Sequence, residues 1–482
     1  MQSKSDDHFY ITTSIPYVNG DPHIGFAMEL IQADVLARQA RQNGKTVMFS
    51  AGSDEHGTKV AEKAAELGKD PVEYTKEMSQ KFRDLGKLLN VSYDRFVRTT
   101  DKGHIQRAQL IWKNLSKDIY KSTYSGWYDV RQEEFVPENQ IDLARTDPKH
   151  PQAYQKLEEE NYFFKLSNYT DRIKKAIESE ELRVVPVSKR NEIMALLEEG
   201  LQDISVSRPK EKLDWGVPVP DDKTQVMYVW FEALMNYLTV IGYPEHEDFA
   251  KFWPANVQVV GKDISRFHAA IWPGMLMALD LPLQKNLFVH SFITVAGEKM
   301  SKSLGNVIPP SEIVGKYGVD AFRYYFLRHI PAYDDGDFSW ERMEEVYNNE
   351  LANELGNLVS RTAAMITKYQ NGLIGDIPAP EHDIAPYLRA LHDCRFDRAL
   401  EEVWRQVRGM NQYIDEQKPW TIAKANDVEH LREVLAYSAS SILQIAELLE
   451  PFMPETAGKI RHIFMTGVIQ QTEGTLFPKQ EA

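Results

Sequence analysis

The sequence predicts an α/β protein: a split Rossmann-type parallel sheet, interrupted by an inserted α+β connective domain and followed by an all-helical domain. Strands and helices alternate in the first part of the chain, the alternation is lost over residues 119–222, and it then resumes. Amphipathic stretches follow at residues 343–369, 385–417 and 428–450. Alternating strands and helices are typical of parallel sheets, and apolar residues at helical spacing predict the final helices.

The opening segment predicts one β-α-β unit. Residues 9–13 are aromatic and β-branched, residues 24–43 carry apolar side chains at helical spacing before Gly44, and residues 46–50 form a second short strand. The loop after the first strand brings His23 to the start of the helix. Backbone N–H groups and the helix dipole favour phosphate at that position.

The second half of the sheet is expected after the insertion. Its predicted strands are residues 226–230, 257–260 and 287–292. The insertion, residues 119–222, has short aromatic runs and many prolines instead. The predicted organisation is a Rossmann-type catalytic domain in two halves (1–118 and 223–324), a metal-free inserted domain (119–222), a linking segment (325–345) and a helical domain (346–482).

Composition argues against a membrane-spanning, secreted or disulfide-bonded protein. The 482 residues are 43% hydrophobic and contain no apolar run of membrane-spanning length, and residues 1–8 lack the features of a signal peptide. The single cysteine, Cys394, excludes an intrachain disulfide and an all-cysteine zinc site. We therefore expect a cytoplasmic protein. A net charge of −15 argues against non-specific coating of nucleic acid, but a local basic surface remains compatible with RNA recognition.

Two short motifs are candidates for holding a triphosphate. Pro-His-Ile-Gly at residues 22–25 opens the first helix, and Lys-Met-Ser-Lys-Ser at residues 299–303 follows the strand expected at 287–292. Attack at an α-phosphorus builds negative charge there and on departing pyrophosphate, so converging donors lower the barrier. Taken alone, His23 would be a helix cap or surface residue and the pentapeptide an exposed loop. Their joint occurrence, in this order, on two halves of one interrupted sheet favours the functional interpretation.

This pair resembles the two signatures of class I aminoacyl-tRNA synthetases, His-Ile-Gly-His and Lys-Met-Ser-Lys-Ser. From about residue 9 to residue 478 the chain resembles the methionyl-tRNA synthetases, of the bacterial type without a cysteine zinc knuckle. The matching segments are residues 15–20, 54–57, 228–237, 261–273 and 353–357. The resemblance implies a methionine–tRNA ligase, which forms methionyl-adenylate from L-methionine and ATP with release of pyrophosphate. Transfer to the 3′ end of tRNA(Met), including the initiator, would follow.

The resemblance also implies a methionine pocket. Asp54 would pair with the substrate ammonium. The aromatic side chains would surround the thioether, and Tyr237 and His268 would donate hydrogen bonds towards the sulfur. The expected pocket residues are Ile15, Tyr17, Asp54, Trp230, Ala233, Leu234, Tyr237, Ile264, Phe267, His268 and Trp272.

ATP binding and catalysis are carried over in the same way. We expect His23, Lys299 and Lys302 to be catalytic, with Lys302 as the main stabiliser of the transferring phosphates. The expected ATP-binding residues are His23, Gly25, Gly261, Asp263, Lys299 and Lys302. Asp263 would bind the ribose hydroxyls, or cap a helix, or do both. Magnesium is expected to arrive with ATP.

In the helical domain, the resemblance implies that Asn357, Arg361 and Trp420 read the CAU anticodon. Asn357 and Arg361 are four residues apart, on one helix face. Pro419 favours a presented loop or helix start for Trp420. Without the resemblance, the asparagine and arginine would be an ordinary polar surface pair.

The sequence departs from the family pattern at three points, and each departure leads to an expectation about structure or function. Phe26 stands where most of the family has a second histidine, and we expect Lys299 or Lys59 to compensate. Residues 119–222 contain no cysteine and only one histidine, His150, so no structural zinc is expected. The chain ends before the C-terminal dimerising barrel of some relatives, which predicts a monomer.

Three alternatives remain. A synthetase for leucine, isoleucine, valine or cysteine is disfavoured by the small insertion and by the lack of thiols. A free-standing nucleotidyltransferase is disfavoured because it would not need the helical region. A tRNA-binding paralogue without catalysis is suggested only by Phe26.

Overall fold

The structure is a computed structural model that describes residues 7–129, 134–136, 154–300, 305–375, 377–378, 382–470 and 474–480. Within these residues the strands are β1 (His8–Thr13), β2 (Thr46–Ser53), β3 (Arg95–Arg98), β4 (Ile119–Asp129), β5 (Glu134–Val136), β6 (Tyr154–Phe164), β7 (Arg183–Val185), β8 (Ile204–Ser205), β9 (Ser207–Pro209), β10 (Gln225–Met227), β11 (Val257–Gly261), β12 (Asn286–His290), β13 (Ile293–Val295), β14 (Glu298–Lys299) and β15 (Gly336–Phe338).

The α-helices of the described residues are α1 (Ile24–Gln42), α2 (Thr58–Glu66), α3 (Pro71–Leu88), α4 (Lys102–Asn114), α5 (Thr170–Glu178), α6 (Val187–Glu199), α7 (Val229–Leu234), α8 (Asn236–Thr239), α9 (Glu247–Phe252), α10 (Trp272–Ala278), α11 (Pro310–Tyr317), α12 (Val319–Arg328), α13 (Trp340–Val346), α14 (Asn357–Gln370), α15 (Ala385–His392), α16 (Phe396–Gln417), α17 (Pro419–Lys424), α18 (Val428–Leu449) and α19 (Pro454–Phe464). Two π-helical turns, Phe267–Ile271 and Tyr347–Gly356, run into α10 and α14.

The central sheet has the order β3-β2-β1-β11-β12-β7, and all its strands are parallel. Strand order reverses between β1 and β11. In open α/β sheets, ligands bind outside the carboxyl ends of the strands at such a switch point. The expected Rossmann-type sheet is therefore confirmed.

Side chains of the central strands alternate between two apolar cores, one on each face of the sheet. Ile11 and Phe288 belong to the core that continues into the helical region. Tyr10, Leu287 and Val289 belong to the core that continues into the segment after β6. This period of two explains why strands buried on both faces read as continuous apolar runs.

Two parts of the sheet differ from the expectation. Of residues 226–230, only Val226 and Met227 lie in a strand, β10, which pairs antiparallel with β9 outside the central sheet. Trp230 instead lies on α7, because a short apolar run does not distinguish a strand from a buried helix. Strand β7, within the expected insertion 119–222, pairs with β12 as the sixth strand of the central sheet.

The rest of the insertion is built on a long antiparallel pair, β4 and β6, in a sheet of order β5-β4-β6-β8. Tyr120 stacks on Phe163 at 5.7 Å, and Tyr162 packs edge-on against Trp112 of α4 at 5.6 Å. No cluster of three or more His, Cys, Asp or Glu that could hold a metal occurs among the residues described. The metal-free insertion stays a prediction.

A buried arginine of α12 joins α1 to the segment between α18 and α19. The Arg323 guanidinium pairs with Asp34 of α1 at 2.8 Å, and neither side chain is exposed. It also donates to the carbonyls of Phe452 (2.6 Å), Pro451 (2.8 Å) and Leu89 (3.2 Å). A buried charge is tolerated when it is paired and hydrogen-bonded in this way.

In the described part of the chain, no helix is long and apolar enough to cross a membrane.

Candidate active site

The first signature lies at the N-terminus of α1. His23 is the N-cap residue, and its Nδ1 accepts a hydrogen bond from the Gly25 amide at 3.0 Å. A neutral ring therefore carries its proton on Nε2, which is the nitrogen that can donate to an anion. A Cβ on Gly25 would lie 2.8 Å from the imidazole, so a larger residue there would displace the His23 ring. The Met300 methyl lies 3.7 Å from the same position, which brings the second signature next to the first.

Three aromatic rings from different elements form one group. Trp230 of α7 stacks on Phe267 with centroids 4.4 Å apart and planes 19° apart. Tyr17 meets Trp230 edge-on at 5.5 Å. Asp54, 2% exposed, forms an isolated β-bridge with Tyr17, which aligns the two backbones. A carboxylate and three rings are thus brought together at the carboxyl edge of the sheet.

Behind these rings, Tyr237, His268 and Trp272 are almost fully buried. His268 Nδ1 lies 2.9 Å from the carbonyl oxygen of Ile264, and its Nε2 lies 2.7 Å from the Tyr237 hydroxyl. A carbonyl only accepts, so Nδ1 carries the proton and the Tyr237 hydroxyl donates to Nε2. Burial lowers the pKa of His268 to about 4, so the ring is neutral.

The expectation that Tyr237 and His268 both donate towards a substrate sulfur does not hold in this arrangement. Both protons are already donated within the protein, and the pair instead braces the inner wall of the pocket. Of the remaining pocket candidates, Ala233 and Leu234 are buried on α7, whereas Ile15 and Ile264 are partly buried.

The turn that carries Asp54 is held by residues that the sequence analysis missed. The neighbouring Glu55 is fully buried and accepts from Arg98 Nε at 2.7 Å and Nη2 at 2.9 Å. It also accepts from the hydroxyls of Ser53 (2.9 Å) and Thr100. Charge-assisted, bidentate contacts of this kind are strong and orienting. Glu55 therefore fixes the backbone that presents Asp54.

A second missed carboxylate ties α7 to the same turn. Glu232, 1% exposed, lies 3.1 Å from Nδ1 of His56 and hydrogen-bonds Nε2 of His104. Burial alone would raise the pKa of Glu232, but the two imidazoles lower it to about 2. The carboxylate thus holds α7, and with it Trp230, against the turn that contains His56.

The carboxyl ends of β11 and β12 form the other half of the site. A Cβ on Gly261 would lie 2.8 Å from a carboxylate oxygen of Asp263, which would have to move, and 3.7 Å from the His290 ring. His290 Nε2 lies 2.9 Å from Glu29, and its Nδ1 lies 2.9 Å from the Ser291 carbonyl. Burial would lower the pKa of His290, but the hydrogen bond to Glu29 raises it overall.

The second signature begins at the hairpin β13-β14. The Lys299 ammonium lies 4.4 Å from the centroid of the Phe292 ring, and the Lys262 ammonium lies 4.5 Å from the same centroid. Lys262 is paired with Asp335 at 2.7 Å. Lys302 lies outside the described residues.

Phe26 points into the protein rather than towards the signature turn. Its ring is 9% exposed and meets Phe82 of α3 edge-on at 5.5 Å. Phe26 thus contributes to the core. Lys59, one of the two residues expected to compensate, lies 5.8 Å from the centroid of Tyr17.

In the helical region, Asn357 and Arg361 lie on α14, which contacts α17, where Trp420 occupies the first turn. Trp420 is 36% exposed. Arg361 pairs with Asp415 at 2.9 Å. The three expected anticodon-binding residues therefore lie on neighbouring helices, and one of them has an acidic partner within the chain.

The fold and the site together define a class I aminoacyl-tRNA synthetase: a split parallel sheet with one signature at the N-terminus of α1 and the other on a hairpin beyond β12. The family model described as "tRNA synthetases class I (M)" matches residues 9–156 and 149–363. The chain belongs to the methionine–tRNA ligase family within that class.

Relatives cover nearly the whole chain. A methionine–tRNA ligase of Thermotoga maritima is 42% identical over 94% of this chain and 74% of its own length. That of Rhizobium meliloti is 42% identical over 94% of this chain and 90% of its own length. The solved structure of Mycobacterium tuberculosis methionyl-tRNA synthetase in complex with methionyl-adenylate has a TM-score of 0.89 at 35% identity. The alignment covers 98% of this chain and all of that one.

Proposed function

We propose that this chain activates L-methionine with ATP and transfers the methionyl group to the 3′ end of tRNA(Met). The observation that supports the methionine site most directly is that Asp54 forms a β-bridge with Tyr17, whose ring meets the stacked pair of Trp230 and Phe267. A carboxylate can pair with the substrate ammonium while sulfur–aromatic contacts hold the thioether. The structure of the Mycobacterium tuberculosis relative with methionyl-adenylate supports the same chemistry.

In the first step, an oxygen of the methionine carboxylate attacks the α-phosphorus of ATP. A P–O bond forms, the bond to the β,γ-pyrophosphate breaks, and pyrophosphate leaves with its electron pair. His23 donates from Nε2 to the developing negative charge, while Lys299 and Lys302 stabilise the β- and γ-phosphates. In the second step, a ribose hydroxyl of the tRNA 3′ end attacks the activated carbonyl, and AMP leaves.

ATP would be held by the glycines on both sides of the switch point and by an acidic side chain. Gly25 and Gly261 would allow the nucleotide to approach the backbone closely, because glycine has no Cβ. Asp263 would accept hydrogen bonds from the ribose hydroxyls. Mg²⁺ would enter with ATP as part of the substrate.

Charge pairing by Asp54 is tested with Asp54→Asn, which keeps the shape but removes the charge. Charge-assisted hydrogen bonds contribute about 1.5–3 kcal/mol, so the KM for methionine is expected to rise roughly ten- to a hundredfold. The exposed Asp84→Asn serves as the matched control. An unchanged KM for methionine in Asp54→Asn would remove this residue from the ammonium site.

The missing second histidine is compensated, in this proposal, by Lys59 and Lys299. Both lie beside rings of the site, over Tyr17 and Phe292. Removing a preorganised donor typically costs about 10²–10³ in rate, so the double alanine variant is expected to lose methionine activation by at least that factor. Full activity of the double variant would refute the compensation.

In the helical region, Asn357, Arg361 and Trp420 would read the anticodon of tRNA(Met), including the initiator. Hydrogen bonds and stacking suit unpaired bases of an RNA loop. Arg361 would have to exchange its contact with Asp415 for a base. Charging assays with anticodon variants of tRNA(Met) test this role.

The expected cytoplasmic location and monomeric state stay predictions. Cell fractionation tests the location, and a measurement of the mass in solution tests the oligomeric state.

A further inference from the structure

A cavity of about 340 Å³ lies at the amino-terminal edge of the central sheet, opposite the edge that carries the signatures. Its floor is formed by residues at the amino-terminal ends of four strands, β1, β7, β11 and β12, and its sides by the C-terminal half of α1 and by α15. The apolar lining includes Phe9, Leu36, Ala40, Phe288, Leu391 and Cys394. This volume is at the lower end of the range for small-molecule pockets, about 300–1,000 Å³.

The charged groups of the cavity have one sign. Lys45 and Arg183 line it, and none of the described lining residues is acidic. The chain has a net charge of −15, so a cavity lined by two basic and no acidic residues differs from the protein as a whole, although Asp393 next to the lining offsets part of the charge of Arg183. Arg183 contacts Asp393 at 2.6 Å and the His392 carbonyl at 3.1 Å. An arginine has five N–H donors, so these two contacts leave it the capacity to bind an anion.

We propose that this cavity is a binding site for a small aromatic carboxylate. The partly exposed ring of Phe9 provides a surface for a flat apolar body, and the fully buried Phe288 lies behind the lining. Arg183 and Lys45 provide charge-assisted donors for a carboxylate. The site is separate from the proposed methionine and ATP sites, because it lies beyond the opposite ends of the same strands.

The first test is calorimetric titration of the full chain with naphthoate and with naphthamide, which has the same ring system but no charge. Naphthoate is expected to bind at one site, roughly ten- to a hundredfold more tightly than the amide. Arg183→Gln should reduce this difference to within a few-fold. Equal affinities for the acid and the amide in the unaltered chain would overturn the assignment of an anion site.

The location is tested with Ala40→Phe, which fills the space beside Leu36 and should abolish binding of both compounds. Equal binding to the variant and to the unaltered chain would show that the ligand binds elsewhere and would overturn the proposal.

A second measurement needs no core substitution. Cys394 lines the cavity and is the only cysteine of the chain, so its reaction with a chromogenic disulfide reports on this site alone. Naphthoate should slow that reaction with the same midpoint as in calorimetry, and have no effect on the chain unfolded in urea. A reaction rate that saturating naphthoate leaves unchanged would also overturn the proposal.

Discussion

Replacing His268 with glutamine should make the protein less sensitive to mild acid. The ring is 2% exposed, and burial lowers its pKa from 6.5 to about 4. Between these two values the unfolded chain binds a proton that the folded chain excludes, so the free energy of unfolding falls as the pH falls. The pKa difference of His268 contributes roughly 3 kcal/mol to the free energy of unfolding at neutral pH. About 2 kcal/mol of that contribution is lost by about pH 5.

The assay is urea unfolding followed by tryptophan fluorescence, near neutral pH and at about pH 5. The variant loses the hydrogen bond from Tyr237, so it should start less stable at neutral pH. Between the two pH values it should then lose about 2 kcal/mol less than the unaltered chain. His430→Gln, at an exposed position, is the matched control and should show the parental pH dependence. If the His268 variant and the parent lost the same free energy of unfolding between the two pH values, the assignment of a neutral, buried His268 would be refuted.

Three further substitutions test other parts of the account. Glu55→Gln removes the charge that pairs with Arg98, so we expect about 3 kcal/mol of destabilisation in chemical denaturation and a raised KM for methionine. Trp230→Ala removes the stacked wall of the pocket and should raise the KM for methionine by up to about tenfold, while the KM for ATP in pyrophosphate exchange stays unchanged. Arg323→Met leaves Asp34 and three carbonyls without their buried donor, which should cost about 3–5 kcal/mol in thermal or urea unfolding.

The elements that the sequence predicted correctly are those with a long or strongly bounded pattern. The first β-α-β unit was predicted to within a few residues, because His23 and Gly44 bound the helix on both sides. The segment around Trp230 was not, because a five-residue apolar run is compatible with a strand and with a buried helix. Strand β7 was missed because only its pairing partner, β12, shows that it belongs to the central sheet.

The contacts that support the site could not be predicted from one sequence. Glu55 and Arg98 are 43 residues apart, and Glu232 and His104 are 128 residues apart, so no local pattern links them. The one available signal was that Glu55 is a charged residue directly after a strand expected to be buried. The direction of the Phe26 side chain likewise depended on where α3 packs.

The most direct test of the proposed function is amino-acid-dependent exchange of labelled pyrophosphate into ATP, measured with each of the twenty amino acids in the absence of tRNA. The account predicts exchange with methionine and not with the other amino acids at matched concentration. That result would establish adenylation by a chain with Phe26 in the first signature. Absence of exchange with every amino acid, from protein shown to be folded, would contradict the proposal and favour a tRNA-binding relative that has lost catalysis.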